Sequence, residues 1–161
     1  MNWDAIGAIG EIVGAFAVVA SLMYLAVQVR RQNAESRISS AHVITTAFRE
    51  VISSIQDPAI AQLVIKAGDS LEGLTAAEVL QMVALSQSYF RVWEEAHYHH
   101  AEGRLDPSMW RAMCVQFGGL MHFGWFSESW AIRKSAFREE FQNFVDNERD
   151  LTIEMPSFKS K

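Results

Sequence analysis

The chain is 161 residues long, half of them apolar and 20% charged, with a formal net charge of −5. That length gives one domain a real core and excludes two. The acidic balance and the lack of any basic run interleaved with aromatics exclude a nucleic-acid surface, and the lone cysteine, Cys114, excludes an internal disulfide and fits a reducing cytoplasm.

From Ala5 to Val29 the residues are apolar or small, apart from Glu11 and Gln28. A helix needs about 20 such residues to cross the hydrocarbon core of a bilayer. Asp4 precedes the run and Arg30, Arg31 and Arg37 follow it, the reverse of a secretory signal peptide. The apolar character also extends round every helical face, unlike the single stripe of a globular helix. The pattern predicts a transmembrane anchor over residues 1–31. Arginine prefers the cytoplasmic side, so the expected placement is a single pass through a bacterial inner (cytoplasmic) membrane. The N-terminus would lie outside and the rest of the chain inside, with Trp3 and Tyr24 suiting the two interfaces.

Gly7, Gly10, Gly14, Ala17, Ser21, Tyr24 and Gln28 repeat at 3-4-3-4 spacing, one stripe at the period of a left-handed coiled coil. Small residues let helix backbones approach closely in lipid, so the stripe predicts parallel self-association through Gly7, Gly10, Gly14, Ala17 and Ser21. Glu11 sits beside it. An intramembrane carboxylate normally faces a partner helix or water, or snorkels to the interface, so Glu11 and Gln28 are the polar candidates of this helix.

Between Ala15 and Asp57 there is neither glycine nor proline, and one helix can run through. Ile38, Ala41, Ile44, Phe48, Val51 and Ile55 recur at helical spacing, which predicts an amphipathic second half. Asp57-Pro58 reads as an N-cap followed by proline at the first helical position, opening a helix that Gly68 stops. Thr75-Ala76-Ala77-Glu78 is a capping box, starting a helix with Val79, Met82, Val83, Phe90 and Trp93 on its apolar side and an end near Gly103. Asp106-Pro107 repeats the cap, followed by Met109, Trp110, Met113, Cys114 and Phe117. The glycines of the aromatic segment from Phe117 to Trp130 predict a bend or tight turn, and its rings are expected to pack as core. A last helix around Ala136 to Asp146 would carry Phe137, Phe141, Phe144 and Val145 on one face. The expected fold is therefore all-α: the anchor over 1–31, a small cytoplasmic helical bundle over 32–146 and a flexible C-terminal tail over 147–161.

The densest group of ligand-capable side chains is Glu94-Glu95-Ala96-His97-Tyr98-His99-His100. Glu94, His97 and His100 lie at i, i+3 and i+6 on one helix face, and with His42 or His122 they make a conceivable single-metal site. The competing reading is a solvated helix end whose histidines suit the C-terminal dipole. No nucleophile elbow, phosphate-binding loop or dinucleotide fingerprint occurs, and Cys114 between Met113 and Val115 reads as an inert buried thiol.

The opening Trp3-Asp4-Ala5-Ile6-Gly7-Ala8-Ile9-Gly10-Glu11-Ile12-Val13-Gly14-Ala15, with Tyr24 to Arg30, resembles the start of an uncharacterised family of bacterial helical proteins with an N-terminal membrane helix. Phe90-Arg91-Val92-Trp93-Glu94-Glu95-Ala96 resembles that family's central helix. The resemblance touches about a quarter of the chain and implies an architecture, with no activity attached. His97, His99 and His100 stand outside it.

The expected function is a membrane-anchored, self-associating scaffold or accessory subunit of a larger membrane complex. The expected partners are the bilayer and further copies of the chain. It would be no enzyme, and no cofactor or catalytic residue is expected. Two alternatives remain: a small homo-oligomeric channel lined by the stripe and Glu11, and a membrane-tethered metal enzyme using Glu94, His97 and His100.

Overall fold

A computed structural model describes residues 3–147, with side chains at residue 11 and over 14–147. The expected C-terminal tail lies beyond Asn147, outside the described residues. Those residues form six α-helices and no strand: α1 (Trp3–Ile55), α2 (Pro58–Ala67), α3 (Ala76–Ala101), α4 (Pro107–Met121), α5 (Gly124–Arg133) and α6 (Glu139–Asn147). The all-α expectation holds. The chain divides into two compact units, one up to Ser39 and one from Ser40 onward.

In the first unit, α1 is exposed over nearly all its described length. Phe16, Met23 and Tyr24 are 74%, 68% and 68% exposed, and Val18, Val19, Leu22, Leu25, Val27 and Val29 are all open to solvent. Among the described residues, no helix is long and apolar enough to cross a membrane. The uncharged stretch with described side chains, residues 14–29, rises about 24 Å at ~1.5 Å per residue, against a ~30 Å hydrocarbon core, and Arg30 and Arg31 follow it. The expected anchor over 1–31 is therefore not established by the described residues. Ile38, expected on the apolar face of α1, is 71% exposed.

In the second unit the core is built around α3, a 26-residue helix whose two ends are both fixed by local chemistry. At its start Thr75 Oγ1 accepts the Glu78 backbone N–H, while Glu78 Oε2 accepts the Thr75 N–H at 2.8 Å. Lys66 Nζ donates to the same carboxylate at 2.7 Å, tying α2 to α3. The Lys66 hydrogen bond, ahead of those from Thr75, pulls the Glu78 carboxyl down to about 2. The aspartate-proline starts behave alike: Asp57 Oδ1 accepts Ala59 N–H at 2.8 Å, and Asp106 Oδ1 accepts Ser108 N–H at 2.8 Å. Gly68 ends α2 with φ +54°, a conformation that a side chain disfavours.

Rings fill the centre. Trp93 stacks on Phe117 at 4.7 Å with 9° between planes and meets Phe141 and Phe144 edge-on. Phe90 packs against Phe126, Trp130 and Phe137. Phe90, Phe117, Phe126 and Trp130 are fully buried, each worth about 1.5–3 kcal/mol relative to exposure. The aromatic segment is thus core, as expected. From α1, Ile44 is buried and Phe48 edges onto Tyr89 and Phe117.

The bend expected in that segment falls at His122-Phe123, between α4 and α5. Gly124 opens α5 hard against the loop after α2: a Cβ there would lie 1.7 Å from the Asp69 carbonyl oxygen. Glu128 fastens the same loop, accepting Ser70 Oγ–H at 2.9 Å and Leu71 N–H at 2.8 Å. The last helix differs from expectation. A 3-10 turn covers Lys134–Ala136, Phe137 is extended, and α6 begins only at Glu139.

Candidate functional site

The side chains singled out at the C-terminal end of α3 are drawn into structural roles. Glu94 is 7% exposed and faces two arginines. Arg91 Nη1 donates to Oε2 at 2.8 Å, and the Arg138 backbone N–H donates to Oε1 at 2.8 Å with its guanidinium 3.5 Å away. Arg91 also donates to the Ala136 carbonyl at 3.0 Å and lies over the Phe137 ring. Arg138 lies over the Tyr98 ring at 4.6 Å. A carboxylate on α3 therefore caps the chain entering α6. This explains the late start of that helix: the Arg138 N–H is taken by Glu94, and Phe137 is pulled extended into the core.

His97 is half-buried among Trp110, Phe141 and Phe144, the last at 4.9 Å between ring centres. Desolvation there, followed by the positive charge of Arg138 and by His100, pushes its pKa below the ordinary histidine value; Glu140 and Glu94 oppose this more weakly. His100 stacks on Trp110 at 4.9 Å with 12° between planes, and its buried Nδ1 has no hydrogen-bond partner. His99 turns another way, its Nδ1 3.2 Å from Ser40 Oγ. His122 Nδ1 lies 2.8 Å from the Gly118 carbonyl oxygen, and His42 is exposed on α1.

Glu94, His97 and His100 share a face of α3 as the spacing implies, yet they do not converge on a common point. Among the described residues no three His, Cys, Asp or Glu side chains gather to hold a metal ion. Cys114 is buried on α4. A shallow groove between α2 and α3 is lined by Ala59, Gln62, Leu63, Lys66, Glu78 and Gln81, with the Lys66–Glu78 pair occupying its polar side.

On α1, Gly7 and Gly10 fall outside the residues whose side chains are described. Gly14, Ala17, Ser21 and Gln28 are exposed, as is Glu11. Ser21 Oγ donates back to the Ala17 carbonyl at 2.8 Å, so its hydroxyl is satisfied within the helix. A Cβ added at Gly14 would meet nothing within 4 Å.

Sequence reasoning missed the Arg91–Glu94–Arg138 hub. Arg91 at i−3 from Glu94 is a visible signal, but Arg138 is far along the chain and only folding brings it there. Comparison with protein-family models, with curated proteins and with solved structures finds no match to this chain.

Proposed function

We propose that this chain is a membrane-anchored helical scaffold, an accessory subunit that self-associates through α1 and presents its bundle to a larger membrane complex. The observation that carries the reading is the first part of α1. Phe16, Val18, Val19, Leu22, Met23, Tyr24, Leu25, Val27 and Val29 are all exposed. At about 100° per residue these positions cover the helix all round except the sector of the small residues Gly14, Ala17 and Ser21, far more than one stripe. An apolar surface this wide needs an apolar surround, and a bilayer supplies one where a single packed partner would leave faces open. With residues 5–13 included, the run from Ala5 to Val29 rises about 37 Å, enough to span ~30 Å of hydrocarbon. The arginines after it favour a cytoplasmic bundle in a bacterial inner membrane.

Gly14, Ala17 and Ser21 support self-association, since they leave an exposed, nearly flat strip along one side of this helix. The bundle favours a structural role over catalysis: its interior is occupied by stacked rings, and Glu94, the buried carboxylate among the described residues, is neutralised by two arginines.

Native mass spectrometry of the full chain in nanodiscs, alongside Gly10→Leu and Gly14→Leu, tests the reading. A dimer lost in both variants is expected. Four or more subunits, lost in the same variants, would replace the scaffold by a channel lined by the stripe and Glu11. A monomer would remove self-association altogether.

A further inference from the structure

Arg30, Arg31 and Arg37 follow the apolar part of α1 directly and are all exposed. Arg49, Arg111 and Arg133 of the second unit are likewise exposed, but they do not adjoin an exposed apolar run, and the other bundle arginines are engaged. Arg91 and Arg138 share the Glu94 carboxylate, and Arg104 pairs with Glu102 and lies over Tyr98. Among the described residues none of Arg30, Arg31 and Arg37 is ion-paired, although Glu35 stands four residues beyond Arg31 on the same helix and is itself exposed. Three exposed guanidinium groups thus have no carboxylate partner among the described residues.

Helix geometry places them together. Seven residues make about two turns, so Arg30 and Arg37 share one face about 10 Å apart along the axis, with Arg31 about 100° round from Arg30. No charged residue lies between Gly14 and Val29. If Val29 marks the edge of the hydrocarbon, Arg30 and Arg31 fall at the level of the lipid phosphates. Arg37 lies deeper on the aqueous side, within a Debye length of about 8 Å once its side chain reaches back. Guanidinium binds phosphate oxygens through two parallel N–H donors, which an ammonium does not match.

From this juxtaposition we propose that Arg30, Arg31 and Arg37 form a binding surface for the phosphodiesters of anionic phospholipids in the cytoplasmic leaflet. This rests on the anchored reading of α1. Each basic residue near an anionic surface strengthens association roughly fivefold, and Glu35 offsets part of that gain. The chain would therefore gather anionic lipid around its own anchor, which also fixes the depth and direction of α1.

The test is the full chain in nanodiscs of equal phosphatidylcholine and phosphatidylglycerol, with native mass spectrometry of the lipids retained on the protein. Wild type is expected to retain phosphatidylglycerol over phosphatidylcholine by at least about fivefold, the contribution of a single basic residue. The triple variant Arg30→Gln/Arg31→Gln/Arg37→Gln should retain the two equally, while the corresponding triple lysine variant keeps an intermediate preference. Insertion with both lipids retained equally by wild type, or a preference surviving in the glutamine variant, overturns the lipid surface and leaves the anchor standing. Failure of wild type to enter nanodiscs overturns both. A preference abolished by millimolar inorganic phosphate would assign the arginines to a soluble anion and overturn the lipid assignment.

Discussion

Gly124→Ala separates two effects of opposite sign. Gly124 is the first residue of α5, and alanine is the better helix former by about 1 kcal/mol, so propensity alone predicts stabilisation. Packing predicts the reverse. The new Cβ would sit 1.7 Å from the Asp69 carbonyl oxygen and 2.8 Å from its carbon, both backbone atoms. Relief requires the loop after α2 or the start of α5 to move by more than an ångström. Glu128 resists that movement through its hold on Ser70 and Leu71. Overpacking against rigid surroundings costs typically 1–3 kcal/mol, and this overlap belongs at the upper end. After the propensity gain, a net destabilisation of about 2 kcal/mol is expected. For a unit of this size that lowers the thermal midpoint by roughly 8 °C. The assay is thermal unfolding of the full chain followed by tryptophan fluorescence, since Trp125 is the next residue and is buried. A midpoint equal to or above wild type would refute the claim that α5 docks on the Asp69 backbone.

Three further outcomes follow from the bundle. Glu94→Ala leaves two arginines and the Arg138 N–H without their shared acceptor; with both guanidinium groups half exposed, the expected loss is about 2 kcal/mol in thermal or denaturant unfolding. For His97, whose folded pKa is depressed, the unfolded chain binds the proton more readily. Stability is then full above about pH 6.5 and falls as pH drops below it, and His97→Phe should flatten that fall in midpoints measured between pH 7.5 and 5.5. Glu78 is a depressed carboxylate, so its contribution is present above about pH 4.5 and disappears as pH falls towards 2; Glu78→Gln should remove that limb of the acid-unfolding curve.

What the sequence made legible was local. Asp57-Pro58, Thr75 to Glu78 and Asp106-Pro107 each act through hydrogen bonds spanning two or three residues, so residue type and spacing suffice to place three helix starts. The apolar positions of α3 and α4 were legible for a related reason, because helical period alone sorts Met82, Phe90, Trp93 and Phe117 onto the inward side. The start of α6 was not, because it depends on Arg138 meeting Glu94 across 44 positions of chain. Ile38 continues the apolar period of α1 yet lies exposed, since period reports a face and not whether anything covers it.

The candidate site followed the same division. Spacing correctly puts Glu94, His97 and His100 on one face of α3. It carries no information on Arg91, Arg138, Trp110 and Phe144, the neighbours that make Glu94 a cap and the two histidines ring partners. A signal was available in the excess of aromatics between Tyr89 and Trp130, because a helix facing that many rings has little room to assemble a hydrated ligand set.

Membrane integration of α1 is the central claim, and flotation tests it most directly. The full chain is expressed in bacteria, and its membranes are washed with alkaline carbonate and floated through a sucrose gradient. The chain is expected to rise with the lipid, and replacing Val18, Leu22 and Leu25 by aspartate should leave it in the wash. Recovery of the unmodified chain in the carbonate supernatant would contradict the anchor and, with it, the scaffold.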